Sequence, residues 1–182
     1  DTYECRLESE APIPVHDITF VTTILPDGNK KAVATDSSNG QIISTFDIRM
    51  TAPNQEPAVA PAPMHTIEHL VATFLRNDPE WKDKVIYWGP MGCLTGSYLI
   101  LKGEYTPQQM RPLMIRAFQY VLDATEVPGQ APECCGNYLL HDLPMAKWEA
   151  KRYIDRLNNA FHCEYTPLVR RETEDGSIFH DA

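Results

Sequence analysis

The stretch that decides the fold is MHTIEHLVATFLR, residues 64–76, which predicts a core helix carrying ionisable groups. Its apolar residues recur with helical spacing at Ile67, Leu70, Val71, Phe74 and Leu75. His65 and His69 are four residues apart, so both imidazoles project from one helix face and can bind one metal ion. Histidine pairs at this spacing also arise by chance. Glu68, on the same face, favours a site, because ionisable groups on a core-facing helix need compensation.

Two histidines do not complete a metal site, and the sequence offers two kinds of third ligand. One is a thiolate from the adjacent Cys134 and Cys135. The other is a downstream carboxylate, for which Glu126, Glu133 and Glu149 are the candidates. The order H-x-x-E-H is also the signature of inverzincin metallopeptidases, which use a downstream glutamate. Spacing alone leaves both ligand sets open.

Two further groups of residues are candidates for chemistry. Cys93 lies between two glycines in PMGCLTG, residues 90–96, where its thiol has room to reach a ligand. A buried, inert thiol is the alternative interpretation. Asp47 and Arg49 share one face of a predicted strand. Arg49 there either holds an anionic or hydroxyl-rich ligand or forms an ordinary surface ion pair.

The chain around these motifs predicts a single α+β domain, residues 1–182, with a mostly antiparallel sheet packed against helices. The predicted strands are 17–24, 42–50, 85–88, 97–101 and a short one at 137–140, and the predicted helices are 65–76, 106–124 and 143–161. The proline-rich segment 51–63 predicts an extended connector in which no helix begins. Residues 1–45 are predicted to form an N-terminal segment of strands and loops, and residues 163–182 are expected to be a loosely held tail.

Composition limits the classes of partner and compartment. The net charge of −9 argues against a general nucleic-acid or anionic-membrane binder, because phosphate surfaces repel such a chain. The most apolar region is interrupted by glycines and a proline, so no transmembrane helix is predicted. Five cysteines, an odd number, favour metal or catalytic thiols in a reducing compartment over a disulfide framework. We expect a cytoplasmic protein, since the first residues also lack a signal-peptide pattern.

Four segments, taken together, resemble the S-ribosylhomocysteine lyase family. They are FDIRM at 46–50, HTIEHL at 65–70, GPMGCLTGSY at 89–98 and CCGNYLLHDLPMAK at 134–147. Their shared order and spacing make the resemblance specific, and they span more than half of the chain. The resemblance implies cleavage of S-ribosylhomocysteine to homocysteine and 4,5-dihydroxy-2,3-pentanedione, the autoinducer-2 precursor, by carbonyl migration and β-elimination.

The resemblance also implies a role for individual residues. His65, His69 and Cys135 match the family's metal ligands, and a water or a substrate oxygen completes the tetrahedron. Glu68 and Cys93 match its acid/base residues. Arg49 matches a substrate-binding arginine, and His16 is the candidate for a histidine that contacts substrate near the family's N-terminus. The implied metal is Fe(II), with Zn(II) or Co(II) as substitutes, and the implied assembly is a homodimer with active sites at the interface.

Two other functions remain alternatives at this stage. An inverzincin-like metallopeptidase would use a glutamate ligand, so its metal binding would not depend on Cys135. A catalytically impaired homologue would bind a sugar ligand without releasing homocysteine. The position of the third ligand therefore separates the first alternative from the lyase.

Overall fold

The computed structural model describes the backbone of residues 18–20, 34–36, 41–159, 171–172 and 178–179, and the side chains of residues 43–159. The strands are β1 (Ile18–Phe20), β2 (Ala34–Asp36), β3 (Gln41–Arg49), β4 (Val85–Pro90), β5 (Gly96–Lys102), β6 (Arg171–Glu172) and β7 (Ile178–Phe179). The helices are α1 (Pro61–Asn77), α2 (Pro107–Asp123) and α3 (Leu143–Asn158). The predicted His16 and most of the two terminal segments lie outside these ranges.

The sheet is antiparallel and is built around β3. Strands β1 and β2 pair with different parts of one edge of β3, β5 pairs with the other edge, and β4 lies beyond β5. Side chains alternate along β3, so Phe46 and Ile48 are fully buried while Asp47 and Arg49 share the opposite, partly exposed face. The strand prediction at 42–50 is confirmed. The short strands β6 and β7 pair with each other.

The helices cover the sheet and enclose the core. Helix α1 contacts β4, α2 and α3, and α2 contacts α3. The apolar stripe predicted from the sequence is the buried face of α1, where Ile67, Leu70 and Val71 are fully buried. The predicted α+β class, with an antiparallel sheet against helices, is confirmed. None of the described helices combines the length and the apolar composition that a membrane crossing requires.

The prediction that no helix begins within residues 51–63 is wrong, because α1 starts at Pro61. The first four N–H groups of a helix have no partner within it, so prolines in the first turn lose no hydrogen bond. Pro61 and Pro63 both occupy this turn, and the N–H of Met64 makes the first helical bond, 3.1 Å to the carbonyl of Ala60. His65 and His69 therefore lie in the second and third turns of a longer helix.

Side-chain caps fix the starts of the other two helices. The side chain of Gln109 accepts a hydrogen bond of 2.8 Å from the N–H of Thr106, the residue just before α2. Asp142 accepts one of 2.9 Å from the N–H of Met145 and begins α3. The short strand predicted at 137–140 is wrong. That segment is a turn, because the N–H of Leu140 bonds to the carbonyl of Asn137 at 3.0 Å.

Candidate active site

The histidine pair of α1 is held by hydrogen bonds to two loops. The ring centroids of His65 and His69 are 4.7 Å apart and the rings are nearly perpendicular. Nδ1 of His65 lies 2.8 Å from the carbonyl of Leu140, and Nδ1 of His69 lies 2.8 Å from the carbonyl of Pro128. Since a carbonyl only accepts, each Nδ1 donates, and each Nε2 carries a free lone pair. Both imidazoles are therefore set in the tautomer that binds a metal through Nε2.

Cys135 brings a sulfur to this pair. Its Sγ lies 3.4 Å from Nε2 of His65 and 3.4 Å from the N–H of Asn137, which donates to it. The loop between α2 and α3 holds the cysteine in place, with its N–H 2.9 Å from the carbonyl of Ala131. Cys134 is exposed and lies outside the group that could hold an ion. The structure thus distinguishes between the adjacent cysteines.

The candidate carboxylate ligands do not join this group. Within the described residues, the side chains that could hold an ion are His65, His69, Cys135 and His141, and each offers a ligand atom within 4.8 Å of the others. Glu149 is buried and pairs instead with Arg152 at 2.9 Å. Glu126 and Glu133 are exposed on loops. Of the two ligand types that the sequence left open, only the sulfur lies beside the histidine pair within the described residues.

His141 was not singled out from the sequence, although it stands in the quoted segment six residues after Cys135. Its ring stacks on His65 with centroids 4.1 Å apart and planes at 19°, and lies 4.9 Å from the ring of His69. Its Nδ1 is 3.2 Å from the hydroxyl of Thr66, and its Nε2 is buried without a partner. Burial, and then the neighbouring His65 and His69, lower the pKa of His141 to about 4.

The donor set fits a divalent transition-metal ion. Imidazole nitrogens and a thiolate are the ligands that Fe(II), Co(II) and Zn(II) accept, whereas Mg²⁺ and Ca²⁺ prefer oxygen. The free lone pairs of His65 and His69 lie beside the sulfur of Cys135, whose thiol has a single hydrogen to share with them. A cation bound in its place would satisfy both nitrogens and a thiolate at once.

A second group of side chains surrounds Cys93, whose thiol is exposed in the loop between β4 and β5. Sγ of Cys93 lies 3.0 Å from the hydroxyl of Thr95 and 3.9 Å from Nη1 of Arg49. Nη1 of Arg49 also donates to Thr95, and its Nε donates to Asp47 at 3.0 Å. Asp47 therefore orients the guanidinium towards the thiol. Leu94, with a φ of 59°, makes the tight turn that presents Cys93.

The surroundings of Cys93 favour its thiolate. Burial on its own would raise the pKa of this thiol, but the hydrogen bonds from Thr95 and the positive charge of Arg49 outweigh it. The net result is a pKa below the ordinary value. Low pKa and exposure together are the properties of a reactive cysteine. The structure therefore favours the reactive interpretation over the buried, inert one.

We expect Cys93 to be alkylated by iodoacetamide at a lower pH than an ordinary thiol. Because the thiolate is the nucleophile, the rate rises as pH rises through the pKa, and the lowered pKa shifts that midpoint downwards. Replacing Arg49 with methionine removes the cation and should shift the midpoint upwards. The measurement is the pH dependence of labelling at the Cys93 peptide by mass spectrometry, with exposed Cys134 as the internal control. Identical midpoints for the two cysteines would contradict the expectation.

Backbone hydrogen bonds connect the Cys93 loop to the elements on both sides. The N–H groups of Met50 and Thr51, which follow β3, lie 2.9 and 3.0 Å from the carbonyl of Thr95. The N–H of Val59, just before α1, lies 3.0 Å from the carbonyl of Leu94. Arg49, Cys93 and the start of α1 are thus tied to one another through the backbone. Glu68 is half-buried on α1 between the two histidines.

Residues 25–163, about three quarters of the chain, match the profile of the S-ribosylhomocysteinase (LuxS) family. The chain belongs to this family. Among the relatives, a protein of Phocaeicola vulgatus named S-ribosylhomocysteine lyase is 58% identical over 120 residues, which are 65% of this chain and 74% of that protein. Proteins of the same name from Porphyromonas gingivalis and Clostridium acetobutylicum are 52% and 50% identical over 120 and 125 residues. These alignments cover 65% and 68% of this chain and 76% and 79% of those proteins.

Membership of the S-ribosylhomocysteinase family confirms the resemblance drawn from the four sequence segments. The site agrees with it, since a sulfur lies beside the histidines of H-x-x-E-H. The metallopeptidase alternative requires a glutamate in that position, and no glutamate joins the ion-binding group within the described residues. A group of side chains that could hold a metal ion therefore occurs in a chain of a lyase family.

Proposed function

We propose that this chain cleaves S-ribosylhomocysteine to homocysteine and 4,5-dihydroxy-2,3-pentanedione; its relatives are named S-ribosylhomocysteine lyase. The observation that carries the proposal is the meeting of two imidazoles and one thiol in a chain of the S-ribosylhomocysteinase family. The reaction moves a carbonyl along the pentose and then expels the sulfur substituent by β-elimination. It needs no redox cofactor, only groups that bind the sugar, polarise its carbonyl and move protons.

His65, His69 and Cys135 are the residues we assign to the metal. One divalent ion per chain is expected, with Fe(II) as the resident metal and Zn(II) or Co(II) as substitutes. When bound, the ion would polarise the sugar carbonyl, which makes the neighbouring C–H groups more acidic. The carbonyls of Leu140 and Pro128 support this role, because they keep Nε2 of each histidine free of hydrogen.

Glu68 and Cys93 are the residues we assign to proton transfer. Each carbonyl shift removes a proton from a carbon and returns one to its neighbour, which requires groups that both accept and donate. The Cys93 thiol suits this because its lowered pKa favours the thiolate, the form that accepts a proton. With the carbonyl at the third carbon, loss of a proton from the fourth carbon breaks the bond between the fifth carbon and sulfur. The sulfur leaves as homocysteine after taking up a proton.

Arg49 is the residue we assign to substrate binding, together with His16 from the N-terminal segment. The guanidinium of Arg49 is half-buried, held by Asp47, and close to Cys93. A sugar hydroxyl or carboxylate bound there would therefore lie next to the proton-carrying thiol. The role of His16 stays a prediction, since that residue lies outside the described ranges.

We also propose that the chain is one domain that forms a homodimer in the cytoplasm, with active sites at the interface. Apolar side chains exposed beside the metal site support the interface. Leu139, Met145 and Trp148 are 77%, 44% and 53% exposed, on the turn after Cys135 and on the first turns of α3. Exposed apolar groups this close together are typical of a surface that another protein covers.

The test is release of homocysteine from S-ribosylhomocysteine, measured with a thiol reagent. We expect release by the native protein, loss of release after treatment with a chelator, and recovery when Fe(II) or Co(II) is returned without oxygen. Chelation should abolish turnover, because the ion is the group that we assign to polarise the sugar carbonyl. Substrate binding without homocysteine release would instead indicate an impaired homologue, and cleavage of a peptide would indicate a metallopeptidase.

A further inference from the structure

The ring of His141 lies against the metal ligands, but its orientation is not that of a ligand. An imidazole binds an ion in the plane of its own ring, and two imidazoles on one tetrahedral ion hold their centroids about 5 Å apart. His65 and His69 meet this condition, at 4.7 Å and nearly perpendicular. The rings of His65 and His141 are stacked at 4.1 Å and 19°, so one ion cannot lie in both planes. His65, whose Nε2 contacts the sulfur, takes the ligand position.

The hydrogen bonds of Thr66 determine which nitrogen of His141 carries its hydrogen. The hydroxyl of Thr66 donates its one hydrogen to the carbonyl of Ala62 at 3.0 Å. The same oxygen accepts from the N–H of Asp142 at 3.0 Å. Nδ1 of His141, 3.2 Å from that oxygen, must therefore be a donor. The neutral ring then has its lone pair on Nε2.

Nε2 of His141 is buried and has no hydrogen-bond partner. A buried acceptor without a partner costs free energy, and a bound water, ion or ligand is one explanation for such an atom. Nε2 of His65 and of His69, in the same group, cannot satisfy it, because both are acceptors as well. A bound molecule that carries an O–H group at the metal site would supply the missing donor.

We propose that Nε2 of His141 accepts a hydrogen bond from a hydroxyl of the sugar bound at the metal site, and that Thr66 is the positioning residue that sets this acceptor. The inference rests on the proposed function, because the sugar is that of S-ribosylhomocysteine. Through this contact His141 orients the pentose beside the ion without being one of its ligands. Thr66 acts on the sugar only through the tautomer and the direction of the His141 ring.

The test compares His141→Phe with His141→Gln in a Cys93→Ala background, in which turnover is expected to be slow enough for substrate binding to be measured. Phenylalanine keeps a ring to stack on His65 but has no acceptor, whereas glutamine keeps one. We expect His141→Phe to weaken the binding of S-ribosylhomocysteine about tenfold, the effect of one hydrogen bond. His141→Gln should retain part of the affinity that His141→Phe loses. Binding of homocysteine, which lacks the sugar, should be the same in all variants.

A second pair of variants tests the positioning role. Thr66→Val removes the hydroxyl that His141 and Asp142 both use, and Thr66→Ser retains it. We expect the valine variant to weaken sugar binding as His141→Phe does, and the serine variant to bind like the parent. Circular dichroism of each variant checks that the fold is intact.

The Co(II)-loaded forms separate this role from metal ligation. His141→Phe should hold one Co(II) per chain with an unchanged thiolate-to-metal absorption band. Loss of the ion, or a visible spectrum that indicates one nitrogen ligand fewer, would make His141 a ligand and overturn the proposal. Unchanged substrate affinity in His141→Phe would also overturn the proposal. If, in addition, only the spectrum of the substrate-free form changed, the hydrogen-bond partner of Nε2 would be a water and not the sugar. If the native protein releases no homocysteine, the proposed function fails instead.

Discussion

Cys93→Ala lowers kcat by about 10²–10⁴-fold while the protein keeps one metal ion per chain, the loss expected when a group that transfers protons is removed. The thiol is exposed, so its removal should change the free energy of unfolding by less than about 0.5 kcal/mol. The loss should therefore appear in turnover and not in folding or metal content. The measurements are homocysteine release under saturating substrate and metal content by elemental analysis.

Cys134→Ala is the matched control for this experiment. Cys134 is also an exposed thiol, but it lies outside both the ion-binding group and the hydrogen-bonded group around Cys93. We expect it to turn over at close to the native rate. Full activity in Cys93→Ala would remove Cys93 from the mechanism, and equal losses in both variants would indicate a general effect of thiol removal.

Cys135→Ser is expected to release its metal ion and, with it, all turnover. A serine hydroxyl stays protonated at neutral pH and is a poor ligand, whereas a thiolate binds the ion by charge and by polarisability. Loss of a ligand should weaken affinity by roughly 100-fold or more, since even outer groups that only orient ligands are worth 10–100-fold. Metal content after dialysis against a weak chelator measures the effect.

The same variant has a thermal signature. A metal that binds only the folded chain raises the melting temperature, so the difference in Tm with and without added Co(II) reports ligation. We expect that difference in the native protein and in Cys134→Ser, and its loss in Cys135→Ser. Retention of a full complement of metal by Cys135→Ser would contradict the assignment of Cys135 as a ligand.

The parts of the site that the sequence predicts are the local ones. His65 and His69 share a face because four residues make about one helical turn, whatever the rest of the chain does. Asp47 and Arg49 share a face of β3 because side chains alternate along any strand. Cys135 and Cys93 were assigned through the resemblance of whole segments, since nothing about an isolated cysteine reports what it faces.

The sequence by itself determined the apolar stripe of α1, the pair of imidazoles on the same helix, the alternation of polar and apolar residues along β3, and the family. Only the tertiary structure decided that the partner of the imidazoles is a sulfur rather than Glu149, which pairs with Arg152. It also decided that His141 stacks on His65 and that Thr66 sets its tautomer. Helical and strand periods are properties of neighbouring residues. The contacts of Cys135 with His65 and of Asp142 with Thr66, in contrast, join residues 70 and 76 positions apart. They exist only after the segment before α3 docks on α1.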